Sequence, residues 1–363
     1  MKILYGVQGT GNGHLSRARA MCEQFTKLGV DVDYIFSGRP REQYFDMEKF
    51  GDWQSLSGLT FSVEKGKVKP LSTVKNSRPI QLIKDINSVP VENYDFVITD
   101  FEPVVAWAAH KKKVQCLGIG HQYAFQYPIP KKDENPLTRA IMNKFAPTTH
   151  SIGLHWYHFN QPILPPIVDN LEEQIAVEKD KIIVYLPFED PKQVCRWIEN
   201  IPDYQFLYYG AFPEKKTVGN IHFNPISRVG FQRDLGRSAG VISNAGFELA
   251  SESLSLGKKI LAKPLHGQME QASNALALDQ LKLGVATQQL SEAIIKEWLN
   301  NFEAKKIDYP DVAKHIAQWI MAGDLSSQDA LIENLWAQTN SYGLKGFDSY
   351  AASLDKPQML SKA

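Results

Sequence analysis

The chain has 363 residues, 43% hydrophobic and 22% charged, values close to the averages of globular proteins; they exclude a disordered or fibrous chain and suit two domains of roughly 150 to 180 residues. Its 40 basic and 40 acidic side chains cancel, yet residues 1–168 hold 20 of the basic and 15 of the acidic ones, so the first half stands at +5 and the second at −5. That imbalance is too small for the basic stripe of a nucleic-acid binder and suits a small anionic partner or a membrane surface.

MKILYGVQG carries one lysine and a short apolar run into a glycine loop, without a small-residue cleavage site, so it reads as a first strand and not as a leader. From His14 to Leu28 the residues Leu15, Ala18, Met21, Cys22, Phe25 and Leu28 recur at helical spacing, with Gly29 as a C-cap. DVDYIFSG follows as a second strand. YDFVITD (94–100) and VQCLGIG (114–120) read as buried parallel strands around an apolar helix near Val104 to Ala109. PLTRAIMNKFAP (136–147) sets Leu137, Ile141, Met142 and Phe145 beside Arg139 and Lys144, a pattern open to a membrane-surface helix or an ordinary core-facing one.

Between 158 and 181 the alternation breaks at HFNQPILPPIVDN, where Pro165 and Pro166 make a stiff linker. A second α/β series begins at IIVYLPF. Asp190 and Pro191 open a helix, YQFLYYG and GVIS read as strands, a helix runs from about Phe247 to Leu256, KILAKPL is a strand, and a helix spans about Gln268 to Leu281. The expected architecture is α/β, with two doubly wound Rossmann-like domains facing across a cleft: 1–168, then 169–325. A last helix within about 326–350 packs back on the first domain, and 351–363 is a polar tail. No apolar stretch approaches the roughly 18 residues of a membrane span. Cys22, Cys116 and Cys195 are odd in number and far apart, as in a reducing, cytoplasmic setting, so the expectation is a cytoplasmic protein that can still touch a membrane surface.

Gly9, Gly11 and Gly13 form a turn between the first strand and helix, where backbone can approach a ligand and helix N–H groups favour negative charge. A nicotinamide site requires G-x-G-x-x-G and an acid ending the second strand, but the spacing here is G-x-G-x-G and that strand ends in Ser37, Gly38 and Arg39. His14 starts the helix. There it is either a packing residue or a general base, because the positive end of a helix favours the neutral ring that accepts a proton.

The most specific segment is SNAGFELASESLSLGKKILAKPLHGQMEQASNA, residues 243–275. Gly246 and Phe247 open a helix whose N-terminus can take a diphosphate, and Glu252, farther along it, can accept both hydroxyls of a ribose. Glu270, Gln271 and Asn274 lie near the start of the next helix with hydroxyl-binding chemistry. Taken singly, Glu252 and Glu270 also read as solvated helix charges.

This stretch resembles the donor-binding signature of nucleotide-sugar glycosyltransferases of the GT-B fold: Gly246, Glu252, Pro264, Glu270, Gln271 and Asn274 match in order. G-T-G-N-G-H, with Gly11, Gly13 and His14, resembles the glycine loop and catalytic histidine of MurG-type and UDP-dependent glycosyltransferases. The resemblance implies further roles. Asp100 orients His14, the loop at Phe231 holds the nucleobase, and Ser243 and Asn244 contact phosphate, with Asn244 standing where plant-type enzymes have histidine. It also implies an inverting, metal-independent transferase that needs no cofactor, with a UDP-sugar as donor and a carbohydrate or lipid-linked cell-envelope glycan as acceptor. A nucleotide-sugar 2-epimerase of the same fold and a non-catalytic nucleotide-sugar binding protein are the alternatives. Asp31-Val32-Asp33 spells D-x-D but begins a strand instead of following one, and His150, His155 and His158 have no cysteine or carboxylate beside them, so neither is expected to bind metal.

Overall fold

The computed structural model describes residues 1–59, 63–64, 67–68, 79–169, 176–323, 325 and 328–342. Its first sheet is built of β1 (Lys2–Gln8), β2 (Asp31–Ser37) and β3 (Gln54–Leu56); a separate hairpin, β4 (Val63–Glu64) and β5 (Lys67–Val68), follows. The sheet is completed by β6 (Phe96–Asp100), β7 (Cys116–Gly120), β8 (His150–Leu154) and β9 (Ile163–Leu164). The order is β3-β2-β1-β6-β7-β8-β9, parallel throughout. Parallel strands covered on both faces must be apolar along their whole length. Accordingly Ile3, Leu4, Tyr5 and Val7 of β1 are all buried.

On one face lies α1 (Asn12–Lys27), whose Leu15, Ala18, Met21, Cys22 and Phe25 are buried; Leu28, the sixth residue of the expected stripe, is the C-cap and exposed. The other face carries α2 (Pro79–Ser88) and α3 (Pro103–Lys112), which pack on each other. The start of α3 is capped by a fully buried carboxylate. Glu102 Oε1 accepts from Val104 N–H at 2.8 Å and from the Ser37 hydroxyl at 2.6 Å, and Oε2 accepts from Val105 N–H at 2.7 Å. Burial pushes this carboxyl up to about 7, against the pull of those donors. Glu102→Ala strands three buried donors at once, and the expected loss is on the order of 3 kcal/mol of stability, read from a denaturant midpoint at pH 8.

Two short helices, α4 (His121–Ala124) and α5 (Pro136–Lys144), complete the first domain. The apolar side of α5 is largely consumed inside the protein: Phe145, just past its end, is buried and stacks on Phe101 at 5.0 Å, and Ile141 and Met142 pack against the same cluster. Only Leu137 of the four apolar residues is exposed, so the segment presents no continuous apolar face to a membrane surface.

The second sheet comprises β10 (Glu178–Tyr185), β11 (Gln205–Gly210), β12 (Lys216–Val218), β13 (Ile221–Pro225), β14 (Ser238–Asn244), β15 (Lys259–Lys263) and β16 (Val285–Ala286). Its order is β12-β13-β11-β10-β14-β15-β16, parallel except for β12 with β13. Its helices are α6 (Pro191–Ile198), α7 (Arg228–Arg237), α8 (Phe247–Ser255), α9 (Met269–Gln280) and α10 (Glu292–Asn301). In each sheet the connections run in opposite directions from the first strand, and a ligand crevice forms at the C-terminal ends of the strands flanking that switch. Asp100 ends one such strand and Asn244 the other.

The domains are docked. Leu15 and Phe25 of α1 belong to one hydrophobic cluster with Phe247 and Leu254 of α8 and with Ile316 and Ile320 of α11 (Val312–Ala322). Trp156 Nε1 donates to Ser251 Oγ at 2.8 Å, and Gln24 Nε2 to Asp311 Oδ2 at 3.2 Å. From α12 (Asp329–Gln338), Trp336 Nε1 donates to the Ile163 carbonyl at 2.6 Å, so both of the last helices rest on the first domain. An antiparallel pair, β17 (Lys306–Asp308) and β18 (Asn340–Tyr342), ties this return together. Residues 343–350 and the tail at 351–363 lie outside the described residues.

Candidate functional site

His14 is the third residue of α1, which starts at Gly11 without a side-chain cap. Its ring is 12% exposed, and Nδ1 lies 2.8 Å from Oδ1 of the fully buried Asp100. In the tautomer whose Nδ1 donates to Asp100, Nε2 is the basic nitrogen of the ring. One helical turn on, Arg17 grips the same carboxylate: Nε donates to Oδ2 at 2.9 Å and Nη2 to Oδ1 at 2.7 Å. Its third nitrogen crosses to the second domain, where Nη1 donates to Glu248 Oε2 at 2.6 Å. Burial by itself raises Asp100, but Arg17 and then His14 outweigh it and hold the carboxyl below its ordinary value of 3.8. Burial likewise works against the Arg17 charge, and Asp100 and Glu248 overcome it.

Neither Arg17 nor Glu248 was expected from the sequence. The available signal was an arginine three residues after His14, inside an otherwise apolar helix stripe. Glu248 is buried and pushed up to about 8, first by desolvation, with Arg17 opposing and Glu252 and Asp100 adding. The 2.6 Å contact with Arg17 is that of a charge-assisted bond, so the ion pair forms despite this upward push. Glu248 Oε1 is buried with no partner among the described residues.

The glycine loop serves the docking as well as the crevice. A Cβ on Gly13 would stand 2.9 Å from Glu248 Cβ, so glycine here lets α1 and α8 approach; a Cβ on Gly11 would meet only the edge of the His14 ring, at 3.8 Å. On the opposite side, α8 begins at Gly246 with no side-chain cap, which leaves its first-turn N–H groups without a side-chain acceptor. Ser243 is buried; Asn244 Nδ2 donates to the Lys263 carbonyl at 3.0 Å, while its Oδ1 is buried and unpartnered among the described residues. Glu252 sits one turn beyond Glu248 on α8, 7% exposed, with no side-chain hydrogen bond among the described residues. Burial and then Asp169 push its carboxyl up to about 7, with Arg228 opposing. The expected loop at Phe231 is a helix: Phe231 is the fourth residue of α7, edge-on to Tyr185 at 5.5 Å and Tyr209 at 5.0 Å.

Other expected site residues are used for packing and clasping. Phe247 stacks on His121 at 3.9 Å with the rings nearly coplanar in orientation, at 2°. Asn274 is fully buried, with Oδ1 2.7 Å from His121 Nε2 and Nδ2 donating to the Ala245 carbonyl at 3.0 Å, so it joins the domains from inside. Glu270 accepts from Gln122 Nε2 at 3.2 Å on each oxygen, another contact between domains. Gln271 accepts from Leu265 N–H at 2.9 Å through Oε1, which leaves its amide nitrogen for a ligand. A cleft of about 780 Å³ in the second domain is walled by Phe188, Trp197, Gln288 and the Lys263–Glu189 ion pair at 2.6 Å. His14, Asp100 and Glu252 do not line it.

Asp31 and Asp33 lie at the start of β2, at the end of the sheet opposite Asp100, and Asp33 accepts from Tyr94 at 2.8 Å and pairs with Lys2 at 3.1 Å. His155 is buried, accepting from Trp156 N–H at 2.8 Å, and His158 accepts from Asn160 N–H at 2.9 Å. Among the described residues no three His, Cys, Asp or Glu side chains converge as a metal site, and no helix is long and apolar enough to cross a membrane.

Solved structures share this architecture. The glycosyltransferase of kitacinnamycin superposes over 98% of both chains with a TM-score of 0.56 at 12% identity. UGT89C1 of Arabidopsis thaliana, solved with UDP, superposes with a TM-score of 0.56 at 11% identity, covering 92% of this chain and 99% of that one. VinC, solved with dTDP, gives 0.53 at 12% identity over 93% and 99%. At these identities they show the fold, two Rossmann-like domains across a cleft, known as GT-B. An uncharacterized glycosyltransferase of Methanosarcina acetivorans is 30% identical over 138 residues, 36% of this chain, and the match spans about a third (35%) of that protein's length. The profile of glycosyl transferase family 1 matches residues 1–303, most of the chain, and the protein belongs to that family.

Proposed function

We propose that the protein transfers a sugar from a nucleoside diphosphate sugar to an acceptor hydroxyl, with inversion at the anomeric carbon and without a metal ion. The observation that carries this reading is the His14–Asp100 pair, joined through the Arg17–Glu248 bond to the uncapped start of α8, along which the buried Glu252 follows one turn later.

The chemistry follows from these positions. His14 Nε2 removes the acceptor proton as the oxygen attacks the anomeric carbon from the face opposite the diphosphate. Asp100 holds the ring so that Nδ1 carries the other proton. The departing diphosphate gathers negative charge, and the N–H groups at the start of α8 stabilise it where they stand. Glu252 takes the ribose hydroxyls, Ser243 and Asn244 lie at the phosphates, and the rim at Phe231 receives the base. Glu270 and Gln271 hold sugar hydroxyls once Glu270 exchanges Gln122 for the ligand. The two nucleotide-bound relatives carry pyrimidine diphosphates, UDP in one and dTDP in the other, which supports the same class here.

A thermal-shift panel of UDP-, dTDP-, GDP- and CMP-sugars identifies the donor, because a selective ligand raises the melting temperature. Proton NMR of the turnover product then reads the anomeric centre. Inversion with transfer to an acceptor or to water supports the proposal; a retained configuration, or an epimer of the donor sugar at C2, contradicts it.

A further inference from the structure

We infer that Arg17 is a positioning residue that compensates the charge of Asp100 behind the His14 ring, and that its bond to Glu248 ties this arrangement to the docked state of the donor domain. The inference rests on the proposed role of His14 as the base and adds a residue to which that role assigns nothing.

A buried carboxylate facing a histidine favours imidazolium, and an imidazolium cannot remove a proton. Asp100 faces His14 in this way, yet it is not alone. Both of its oxygens receive Arg17 N–H groups, at 2.9 and 2.7 Å, and Arg17 Nη2 also lies 2.9 Å from His14 Nδ1. The ring therefore meets a compensated pair, a carboxylate and a guanidinium, in place of a bare anion. Asp100 can orient the ring by its hydrogen bond while most of its charge is already spent. The planar fork suits this geometry as a lysine ammonium does not, since three nitrogens of one rigid group serve two carboxylates in different domains.

Glu248 completes the design. It meets Arg17 Nη1 at 2.6 Å from the second residue of α8, the helix proposed to receive the diphosphate. The charged groups facing His14 and its partners are thus Arg17 from α1, Asp100 from β6 and Glu248 from α8, with Glu252 one turn behind. Tyr5 on β1, beneath them, is held protonated by burial, and burial of His121 on α4 favours its neutral form. Arg17 is the positive charge in contact with Asp100 and Glu248; farther out, Arg228 acts on Glu252 and Glu270 on His121.

The test needs no knowledge of the acceptor. The ring resonances of His14 are identified in ¹⁵N-histidine-labelled protein as those missing from His14→Ala, and they are followed through a pH titration in wild type, Arg17→Met and Arg17→Lys. Arg17→Gln replaces the methionine variant if that one fails to fold by circular dichroism. The expected result is that the uncharged variant keeps the His14 proton to a pH higher by about one unit or more than wild type, while Arg17→Lys, which keeps the charge, moves by less than half as much. A merely structural arginine would lower stability in both variants and leave the titration in place. Titration of the uncharged variant at the wild-type pH or below overturns the inference, as does an equal shift in Arg17→Lys. Donor hydrolysis by His14→Ala reads the underlying assignment separately: wild-type hydrolysis there removes the base, whereas a loss of hydrolysis together with an unshifted Arg17 titration removes only the role of Arg17.

Discussion

His14→Ala is expected to lower sugar transfer, to the acceptor or to water, by roughly 10²- to 10⁴-fold, the usual range for loss of a general base. Nucleotide affinity should stay within about twofold of wild type, a difference under roughly 0.5 kcal/mol, because the groups proposed to grip the donor stand at the end of β14 and on α7, α8 and α9. The fold should also survive. The ring is at the crevice edge, and its loss leaves Asp100 with both Arg17 bonds. Turnover, calorimetry and a denaturant midpoint together check the three statements. Wild-type turnover with a lowered midpoint would make His14 a packing residue at the helix start, and the base would have to be sought among the other acids of the crevice.

Asp100→Ala should behave in the opposite manner, with stability taking the larger blow. Arg17 then remains buried with Glu248 as its one carboxylate, and breaking a buried pair from one side costs about 3 to 5 kcal/mol. The pH dependence has a definite sign. Asp100 is held below its ordinary value of 3.8, so its contribution is present above about pH 4 and is lost as the pH falls through the lowered folded value. Urea midpoints should therefore differ widely between wild type and variant at pH 7 and converge in strong acid. A loss under about 1 kcal/mol at pH 7 would mean that the Arg17–Asp100 pair contributes no more than an exposed one.

The fold was legible because the central strands are apolar runs and some helix starts carry their own cap, as at Asp190-Pro191, whose carboxylate accepts from Lys192 N–H at 2.8 Å. His14 and Asp100 were readable from their places after a glycine loop and at a strand end, and the structure brings them to 2.8 Å. What the sequence hid is long-range and electrostatic. Arg17 and Glu248 are 231 positions apart, and no local spacing encodes their bond. Asn274 fits a donor signature by order and Phe247 reads as the start of a diphosphate-binding helix, yet their side chains meet His121, a residue no motif marked. The α5 segment shows the same limit. Its apolar positions suited a membrane face equally well until Phe101 and Tyr123 were placed against Ile141 and Phe145, because helical periodicity reports which face is apolar and not what covers it. Gly13 read as a place for ligand approach, and the structure adds a second reason, the contact with Glu248.

The central claim is a nucleotide-sugar crevice in which α8 holds the donor and α1 supplies the base, and calorimetric titration of UDP and dTDP into three proteins tests it most directly. Wild type and His14→Ala should bind one of the two nucleotides with the same affinity. Glu252→Ala should bind it at least about tenfold more weakly, since a lost charged hydrogen-bond acceptor costs roughly 1.5 to 3 kcal/mol. Binding of neither nucleotide to the folded wild type, or affinity that survives in Glu252→Ala and disappears in His14→Ala, would contradict the account.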